Sequence, residues 1–480
     1  MKTNHIQKTL RIVSACLALL AAQACSDSFL DIDAPTVSEE SFFTTERQAD
    51  LALAGAYDVM GWDDTSYFPF WLGDILGHDA YKGGEGPGDQ PWIEPLLNFE
   101  YNASNPGLLV PFQQYYIGIN RCNRVIEKVA GMKAAVSDEK KAQVVAEARF
   151  VRGYYYFELV KIFGEVPLVE HLLKAGNYDM PKASLAELWK FIEDDFSAAA
   201  EVLLPKSDQE AGRATSGAAQ AFLCKAYIYQ KKWPEALALA EEIIHAGEYH
   251  LEPNYGDIWD LDHENGVESV FEIQFAPSGT DEWGNDNEGN EFVIFTRSRN
   301  NGDGWGFNSP KQSFVDLFEV DDPRLDSTVI EDGEILWKGT DDETVADNQF
   351  SSCIDLYMGQ KYQIPPSQWG LQSDDPNNWI VIRYAEVLLW AAEAAAHTGG
   401  DWEGYLQQVR DRVGLGPTPI ADPLQAVYHE REVELGMEGQ RLWDIIRQGR
   451  GEELLGEHGY KEGIHNYFPI PQSQLSFIED

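Results

Sequence analysis

Acidic side chains recur at helical spacing in the last quarter of the chain. Glu386 and Glu393 stand seven residues apart, and Glu430, Glu434 and Glu438 follow at intervals of four. Such intervals place carboxylates on one face of a helix, and a carboxylate pair is the catalytic group of most glycoside hydrolases. Ion pairing is the competing interpretation, and we favour it because arginines lie within helical reach or on packing partners: Arg383, Arg431 and Arg441. We therefore predict no catalytic residue.

Two segments rich in glycine and aromatic residues have the composition of carbohydrate-binding loops. Aromatic rings pack on the apolar faces of sugars, while Asp, Asn, Arg or Lys side chains hydrogen-bond to the hydroxyl groups. The candidate ligand contacts are, in the first segment, Tyr67, Trp71, Asp79, Tyr81 and Trp92, and in the second, Trp283, Arg297 and Trp305.

Packing is the competing role for each of these aromatic residues, since aromatics mostly fill cores. Trp283 and Tyr81 are the strongest candidates because their neighbours are polar or glycine and offer little core. Trp305 lies in a Gly-Trp-Gly segment before Pro310 and has a structural alternative.

Other catalytic and cofactor motifs do not occur in the sequence. We find no Ser-His-Asp spacing, no glycine-rich phosphate loop, no HExxH and no CxxC. Residues 281–291 lack the spacing of an EF-hand, although a calcium ion stays an open alternative. We predict neither a cofactor nor a metal site.

The composition narrows the class of protein. Hydrophobic residues make up 44% and aromatics 12% of the 480 residues, which is typical of a folded globular protein. The formal net charge of -44 disfavours nucleic acid as a partner, because the chain repels phosphate backbones.

The N-terminus predicts export. Lys2, Lys8 and Arg11 precede an apolar run over residues 12–22 that is too short to span a membrane. Ala22-Gln23-Ala24-Cys25 then resembles a bacterial lipoprotein signal, with Ala22 where leucine is usual. We predict a signal peptide over residues 1–24 and lipidation of Cys25; a plain secretory signal is the alternative. The remaining cysteines that we consider are Cys122, Cys224 and Cys353. We expect them to be buried free thiols, and a single disulfide among them is the alternative.

Hydrophobic periodicity predicts a mostly helical protein. The central element is a helix from before Ala146 to Phe163, apolar on most sides, with a polar stripe of Arg149, Arg152 and Tyr156 and a stop at Gly164. Capping boxes predict the start of one helix at Thr45 and of another at Ser184, and the second of these ends near Leu204. A further helix is predicted over residues 111–128. Residues 215–247 read as a tetratricopeptide-type hairpin.

The second half of the sequence predicts an irregular lobe, followed by helices near the C-terminus that we call the closing helices. Residues 251–378 are rich in loops, with strands predicted over residues 269–275 and 291–296. The closing helices are predicted over residues 379–397, 402–413 and 424–448. We expect them to pack back on the first helices.

Several segments, in order along the whole mature chain, resemble the SusD/RagB family of outer-membrane nutrient-binding lipoproteins. They are Cys25 to Asp31, Ser41 to Thr44, Ala54 to Tyr57, Ala146 to Val169, Arg383 to Leu389, Glu430 to Asp444 and Pro469 to Pro471. The resemblance implies a tetratricopeptide-like helical scaffold with an irregular, loop-rich lobe and short strands. It implies an N-terminal region over residues 25–250 that folds together with a C-terminal region over residues 251–480.

The resemblance also implies a function. Members bind oligosaccharides or polysaccharides at the outer membrane, by loops on the face away from the membrane, and act with a SusC-like TonB-dependent transporter. Capture of peptides or another nutrient is the alternative within the family, and a glycoside hydrolase is the less favoured one. The resemblance implies no reaction.

Overall fold

The computed structural model describes residues 42–62, 67–132, 136–173, 180–279, 288–372 and 374–479. The predicted signal peptide, Cys25 and Trp283 lie outside these ranges. Within them, no helix combines the length and the hydropathy that crossing a membrane requires.

Helices form most of the ordered structure. In chain order they are α1 (Glu46–Tyr57), α2 (Leu72–Leu76), α3 (Ile93–Leu97), α4 (Pro106–Ala130), α5 (Asp138–Phe163), α6 (Leu185–Ala200), α7 (Ser216–Tyr229), α8 (Trp233–Ala246), α9 (Phe292–Thr296), α10 (Gln312–Val315), α11 (Arg324–Thr328), α12 (Tyr384–Thr398), α13 (Trp402–Arg412), α14 (Pro423–Glu434), α15 (Arg441–Gln448) and α16 (Gly451–Leu455).

The strands are short and pair two by two. They are β1 (Ala80–Gly83), β2 (Met180–Pro181), β3 (Ser269–Ile273), β4 (Phe307–Pro310), β5 (Val329–Glu331), β6 (Ile335–Leu336), β7 (Thr344–Val345), β8 (Tyr357–Gly359), β9 (Trp379–Arg383) and β10 (Ile478–Glu479). The antiparallel pairs are β1 with β4, β3 with β9, β5 with β8 and β6 with β7, whereas β2 and β10 run parallel.

Consecutive long helices pack on one another, as a tetratricopeptide-like scaffold requires. The contacts run from α4 to α5, α6, α7 and α8 in turn, and α8 then packs on α12. Helices α7 and α8 form the predicted hairpin, with Cys224, Ala236 and Ala240 in its buried face. Helix α12 also contacts α13 and α14, so the closing helices complete the scaffold. The predicted fold class is confirmed.

Helix α5 lies at the centre of the first half, as its sequence predicts. Every residue from Phe150 to Phe163 is buried, because α4 packs on one side and α6 on another. The helix ends at Gly164, whose φ of 70° favours glycine.

The polar stripe of α5 forms internal contacts. Arg152 donates from Nε and Nη2 to the two carboxylate oxygens of Asp195 on α6, at 2.8 and 2.9 Å. Burial raises the pKa of Asp195, and the charges of Arg152 and Arg149 oppose that rise. The Tyr156 hydroxyl accepts the Val169 N–H at 2.7 Å, which fastens the extended segment after the helix.

Side-chain capping motifs correctly predicted where several helices begin. Both predicted capping boxes, at Thr45 and Ser184, are present. Helix α4 begins five residues before the predicted Pro111, because the Asn105 side chain accepts the Gly107 N–H and Pro106 fits the first turn. Helix α6 ends at Ala200 rather than near Leu204.

Two segments in the second half of the chain have a different type of secondary structure from the one predicted. Residues predicted as a strand over 291–296 form helix α9, where the Asn290 side chain accepts the Phe292 N–H and the Thr296 hydroxyl donates to the Phe292 carbonyl. A short apolar run does not distinguish strand from buried helix. The helix predicted from Trp379 begins as strand β9, because its β-branched residues pair with β3.

The helix predicted over residues 424–448 is two helices. Helix α14 ends at Glu434 and α15 begins at Arg441. Between them Met437 and Gly439 have φ values of 61° and 78°, which a continuous right-handed helix excludes.

The main core draws on both halves of the chain, from Ala49 to Ile470. The domain boundary at residue 250 stays a prediction. The three described cysteines are buried free thiols, as predicted.

A buried charge network joins the closing helices to the irregular lobe. Glu434, at the end of α14 and with no exposed surface, pairs with three arginines: Arg324 on α11, Arg383 on β9 and Arg412 on α13. Burial alone would raise the pKa of Glu434, but the three guanidinium groups hold it well below its usual value. The network continues through Arg383 with Glu268 and Glu438, Arg324 with Asp322 and Glu430, Arg410 with Glu430, and Lys361 with Glu438.

Removal of the central carboxylate charge tests this network. We expect Glu434→Gln to lower the free energy of unfolding by about 3–5 kcal/mol, because three buried guanidinium groups each lose one of their carboxylate partners. Urea denaturation measures the change. The control is Asp194→Asn, which breaks an exposed pair with Lys190 (2.7 Å) and should leave stability within experimental error. An equally small effect of both substitutions would contradict the assignment.

Candidate functional site

The structure brings the two aromatic-rich segments together in one lobe. Strand β1 of the first segment pairs with β4, which follows the second segment, and Tyr81 lies opposite Ser309. Arg299 also reaches Glu85 at 2.7 Å, which ties the two loops at their surface. Segments more than 200 residues apart in sequence therefore share one surface.

Trp71 and Trp305 have packing roles in this lobe. Trp71 is 6% exposed and stacks on Phe295 with ring centroids 4.0 Å apart. Trp305 meets Trp71 edge to face at 6.4 Å, and Phe307 stacks on Phe295 at 5.0 Å. Ligand contact by either tryptophan stays a prediction.

Tyr81 is half-buried at the surface of the lobe. Its hydroxyl donates to Asp355 at 3.2 Å, and the Lys311 ammonium lies 5.1 Å from its ring centroid. Burial and the Asp355 charge raise the pKa of the phenol. One part of the ring surface remains accessible, which keeps Tyr81 as a candidate contact.

Trp92 has contacts outside this cluster, and Trp283 is not among the described residues. Trp92 donates from Nε1 to Gln90 at 2.7 Å, and its ring closely approaches Gly107, where a side chain would clash with it. Tyr67 begins a turn of π-helix at Tyr67–Trp71, and its side chain is outside the described part of the structure. Ligand contact by all three stays a prediction.

Asp79 is buried and paired. Burial raises the pKa of its carboxyl, and Arg441, whose Nε lies 3.2 Å from it, opposes the rise. Its neighbour Asp74 is also buried and accepts the Gly439 N–H at 2.9 Å. These contacts hold α2 against the loop before α15, so both aspartates have structural partners.

Arg297 is 9% exposed, and its guanidinium lies 3.7 Å from the ring centroid of Trp369. It forms no ion pair with the described residues. Burial lowers the pKa of Arg297, and attraction from Asp375 and Asp303 opposes this effect.

A more spacious cavity than the surroundings of these residues lies between α1, residues 211–213 and the end of β3. It has a volume of about 740 Å³, which is within the usual range of ligand sites. The described residues that we predicted as ligand contacts do not line this cavity. The lining includes apolar and aromatic residues, namely Leu53, Met60, Phe271 and Phe275, and polar ones, namely Asp50, Asp58, Arg213, Glu272, Gln274 and Glu288.

The rigid wall of the cavity is built by hydrogen bonds. Arg213 donates from Nε to Glu147 on α5 at 2.9 Å, and Tyr57 donates to the same carboxylate at 3.1 Å. Asp58 accepts from Trp62 at 3.1 Å and pairs with Arg121 at 2.6 Å. The wall residues are thereby held in place before any ligand arrives.

Three lining residues with solvent-accessible side chains, which we call the mouth of the cavity, are Phe275, Gln274 and Glu288. Phe275 is half-buried, and the other two side chains are exposed. Burial and the charge of Asp58 raise the pKa of Glu288. The Gln274 amide already bonds with Asn265 and Asn378. One ring face beside the Glu288 carboxylate is a suitable arrangement for a sugar. Sequence reasoning missed these residues because the cavity forms only where α1 and residues 211–213 pack beside them, and only the end of the predicted strand at residue 275 pointed to them.

The carboxylates considered for catalysis are in buried ion pairs. Glu393 accepts from Arg447 at 2.7 and 2.9 Å, and Glu386 lies 3.3 Å from Arg431. The other three belong to the network around Glu434. Arg383 and Arg431 pair as expected, whereas Arg441 pairs with Asp79 and Glu432 instead.

Comparisons with known proteins agree with this architecture. A family model described as SusD family matches residues 267–476, and one described as starch-binding associating with outer membrane matches residues 95–228. The chain belongs to the SusD/RagB family. A SusD-like protein of Bacteroides ovatus is 27% identical, over 92% of this chain and 82% of the relative.

Solved structures of SusD-like proteins share the fold. A laminarin-binding SusD-like protein superposes with a TM-score of 0.80 at 28% identity, covering 91% of this chain and 99% of the other. Surface glycan-binding protein A from Bacteroides thetaiotaomicron, solved with laminarihexaose, has a TM-score of 0.78 at 25% identity, covering 90% and 98%.

The buried Asp74 of this SusD/RagB protein predicts a pH effect on stability. Burial raises the pKa of Asp74 to about 7, compared with about 3.9 in an unfolded chain. The folded state therefore holds a proton that the unfolded state has lost, and this group lowers stability as the pH rises from about 4 to 7.

We expect Asp74→Asn to remove that contribution. The free energy of unfolding of the variant, measured by urea denaturation at several pH values, should exceed that of the wild type increasingly from pH 4 to pH 7. The difference should then level off above pH 7. A constant difference across this range would show that Asp74 titrates normally.

Proposed function

We propose that the protein is a lipoprotein on the exterior of the outer membrane that binds an oligosaccharide or polysaccharide and passes it to a SusC-like TonB-dependent transporter. The observation that carries the binding step is the open 740 Å³ cavity, with an aromatic ring and polar side chains at its mouth. The known relatives that bind laminarin or laminarihexaose support a glycan as the ligand class.

The cavity offers both kinds of contact that a sugar needs. The ring of Phe275 covers an apolar sugar face, while the Glu288 carboxylate accepts hydrogen bonds from hydroxyl groups. The ion-paired wall at Arg213 and Asp58 keeps this mouth in shape, so binding costs little ordering entropy.

Lipidation of Cys25 places the protein at the membrane in this proposal. A bilayer with anionic lipids repels a chain of net charge -44, so attachment requires the lipid. The description of one matching family, associating with outer membrane, supports this location. The family resemblance supports the proposed hand-over to the transporter.

Binding without turnover is the remaining part of the proposal. The helical carboxylates that a glycoside hydrolase would use are held by arginines inside the protein, as Glu393 is by Arg447. They have no access to a substrate. Tyr81 and Trp283 remain our proposed contacts from the loops, beside the cavity residues.

Substitution of the ring at the cavity mouth tests the binding site. We expect Phe275→Ala to weaken laminarihexaose binding about tenfold, equivalent to roughly 1.4 kcal/mol, because one stacking surface is lost. Isothermal titration calorimetry measures the affinity. Phe477→Ala is the control, since Phe477 is 55% exposed and does not line the cavity. Equal affinities of the two variants would remove the cavity from the proposal.

The loop assignments and the ligand class have their own test. Trp283→Ala and Tyr81→Ala should each reduce the affinity for the polysaccharide, and undiminished binding by both would refute their assignment. A screen of plant and host polysaccharides with no binding, together with peptides that co-purify, would select the peptide alternative. Release of reducing ends by the purified protein would select the enzyme.

A further inference from the structure

Arg297 is an exception among the buried arginines. Seven described arginines are at least nine-tenths buried: Arg152, Arg297, Arg324, Arg383, Arg410, Arg431 and Arg447. Each of the other six has a carboxylate oxygen within 3.3 Å. A buried charge without an ion pair is costly, so its retention in a chain with 80 acidic and 36 basic residues requires an explanation.

The surroundings of Arg297 leave its donors available. The guanidinium stacks on Trp369, and Nε is enclosed without a hydrogen-bond partner in the described structure. Nη1 and Nη2 are not enclosed in this way, and neither forms a hydrogen bond or ion pair with the described residues. Asp375 and Asp303 attract the charge from beyond ion-pair distance, and Asp375 already accepts the Gly370 N–H at 3.0 Å.

Arg297 lines a small cleft between the β6–β7 hairpin and Trp369. The free space is about 20 Å³, enough for one group the size of a water molecule and too small for a sugar ring. Trp337 also lines the cleft, with a φ of 48° that is rare for a bulky residue. The Thr340 N–H and hydroxyl both donate to its carbonyl, at 3.2 and 2.7 Å, which holds this turn.

We propose that this cleft binds an oxyanion group of an acidic glycan, either the carboxylate of a uronic acid or a sulfate ester. The planar fork of a guanidinium matches such groups with two parallel hydrogen bonds. One oxygen of the anionic group enters the cleft, and the rest of the group and the sugar that carries it lie at the rim, where Trp337 and Trp369 supply aromatic surface.

The proposal depends on the proposed function only in taking the ligand to be a glycan. The cleft and the 740 Å³ cavity share no lining residue, so they are separate sites. The net charge of -44 repels a polyanion at long range, and an acidic glycan therefore needs a local cation that no carboxylate of the protein neutralises.

Three small sugars test the cleft: glucuronate, glucose 6-sulfate and glucose. We expect the full mature chain to bind at least one of the two anionic sugars ten or more times as tightly as glucose, by ligand-observed NMR titration. Arg297→Gln should abolish that preference. The matched control is Arg299→Gln, two residues away, because Arg299 is already paired with Glu85. Comparison of the two anionic sugars identifies carboxylate or sulfate as the group bound.

Two further measurements separate binding from folding. Arg297→Lys keeps the charge but loses the fork, so it should retain part of the preference, and an increase from 50 to 500 mM NaCl should weaken glucuronate binding to the wild type. Equal binding of all three sugars by the wild type, or an unchanged preference in Arg297→Gln, would overturn the proposal; so would an equal loss in Arg299→Gln.

The test of the cleft at Arg297 can succeed or fail independently of the test of the cavity at Phe275. Arg297→Gln should still bind laminarihexaose, whereas Phe275→Ala should keep the preference for the anionic sugar. A wild type that prefers the anionic sugar but does not bind laminarihexaose would support the cleft and contradict the cavity. A wild type that binds laminarihexaose but shows no preference for the anionic sugar would contradict the cleft and leave the cavity supported.

Discussion

The buried pairing of Glu434 with three arginines is the constraint on which the second half of the structure depends. Its partners come from a strand, from a closing helix and from the irregular lobe, so one carboxylate joins three parts of the chain. Charges this deep are costly unless each is paired with good geometry. The strand β9, the helix α14 and the short helix α11 therefore have few alternative relative positions.

That constraint also decides where function can lie. The helical carboxylates are occupied by arginines and have no access to solvent, so the helices provide support rather than chemistry. Accessible polar and aromatic groups occur instead where loops and helix ends meet, at the mouth of the cavity and along the cleft at Arg297. Rigid helices with variable connecting segments are a common arrangement for binding proteins, because the segments change without loss of the core.

Local rules recovered much of the helical scaffold from sequence. Side-chain capping at Thr45 and Ser184, and the glycine stop at Gly164, act within a few residues, and the structure contains all three. The errors occurred where distant partners decide the conformation. Residues 379–383 form a strand because β3 is available to pair with them, and helix α14 ends because the loop at Gly439 packs on α2.

The sequence by itself determined the family, the mostly helical class, the acidic surface and the pairing role of the helical carboxylates, because these follow from composition, periodicity and short motifs. The tertiary structure decided the site. The sequence left the role of Trp71 and Trp305 open, and only the structure shows Trp71 buried in the core with the half-buried Trp305 packed edge to face against it. The cavity at Phe275 and the unpaired Arg297 arise from residues far apart in the chain, and burial and pairing are properties of their three-dimensional neighbours.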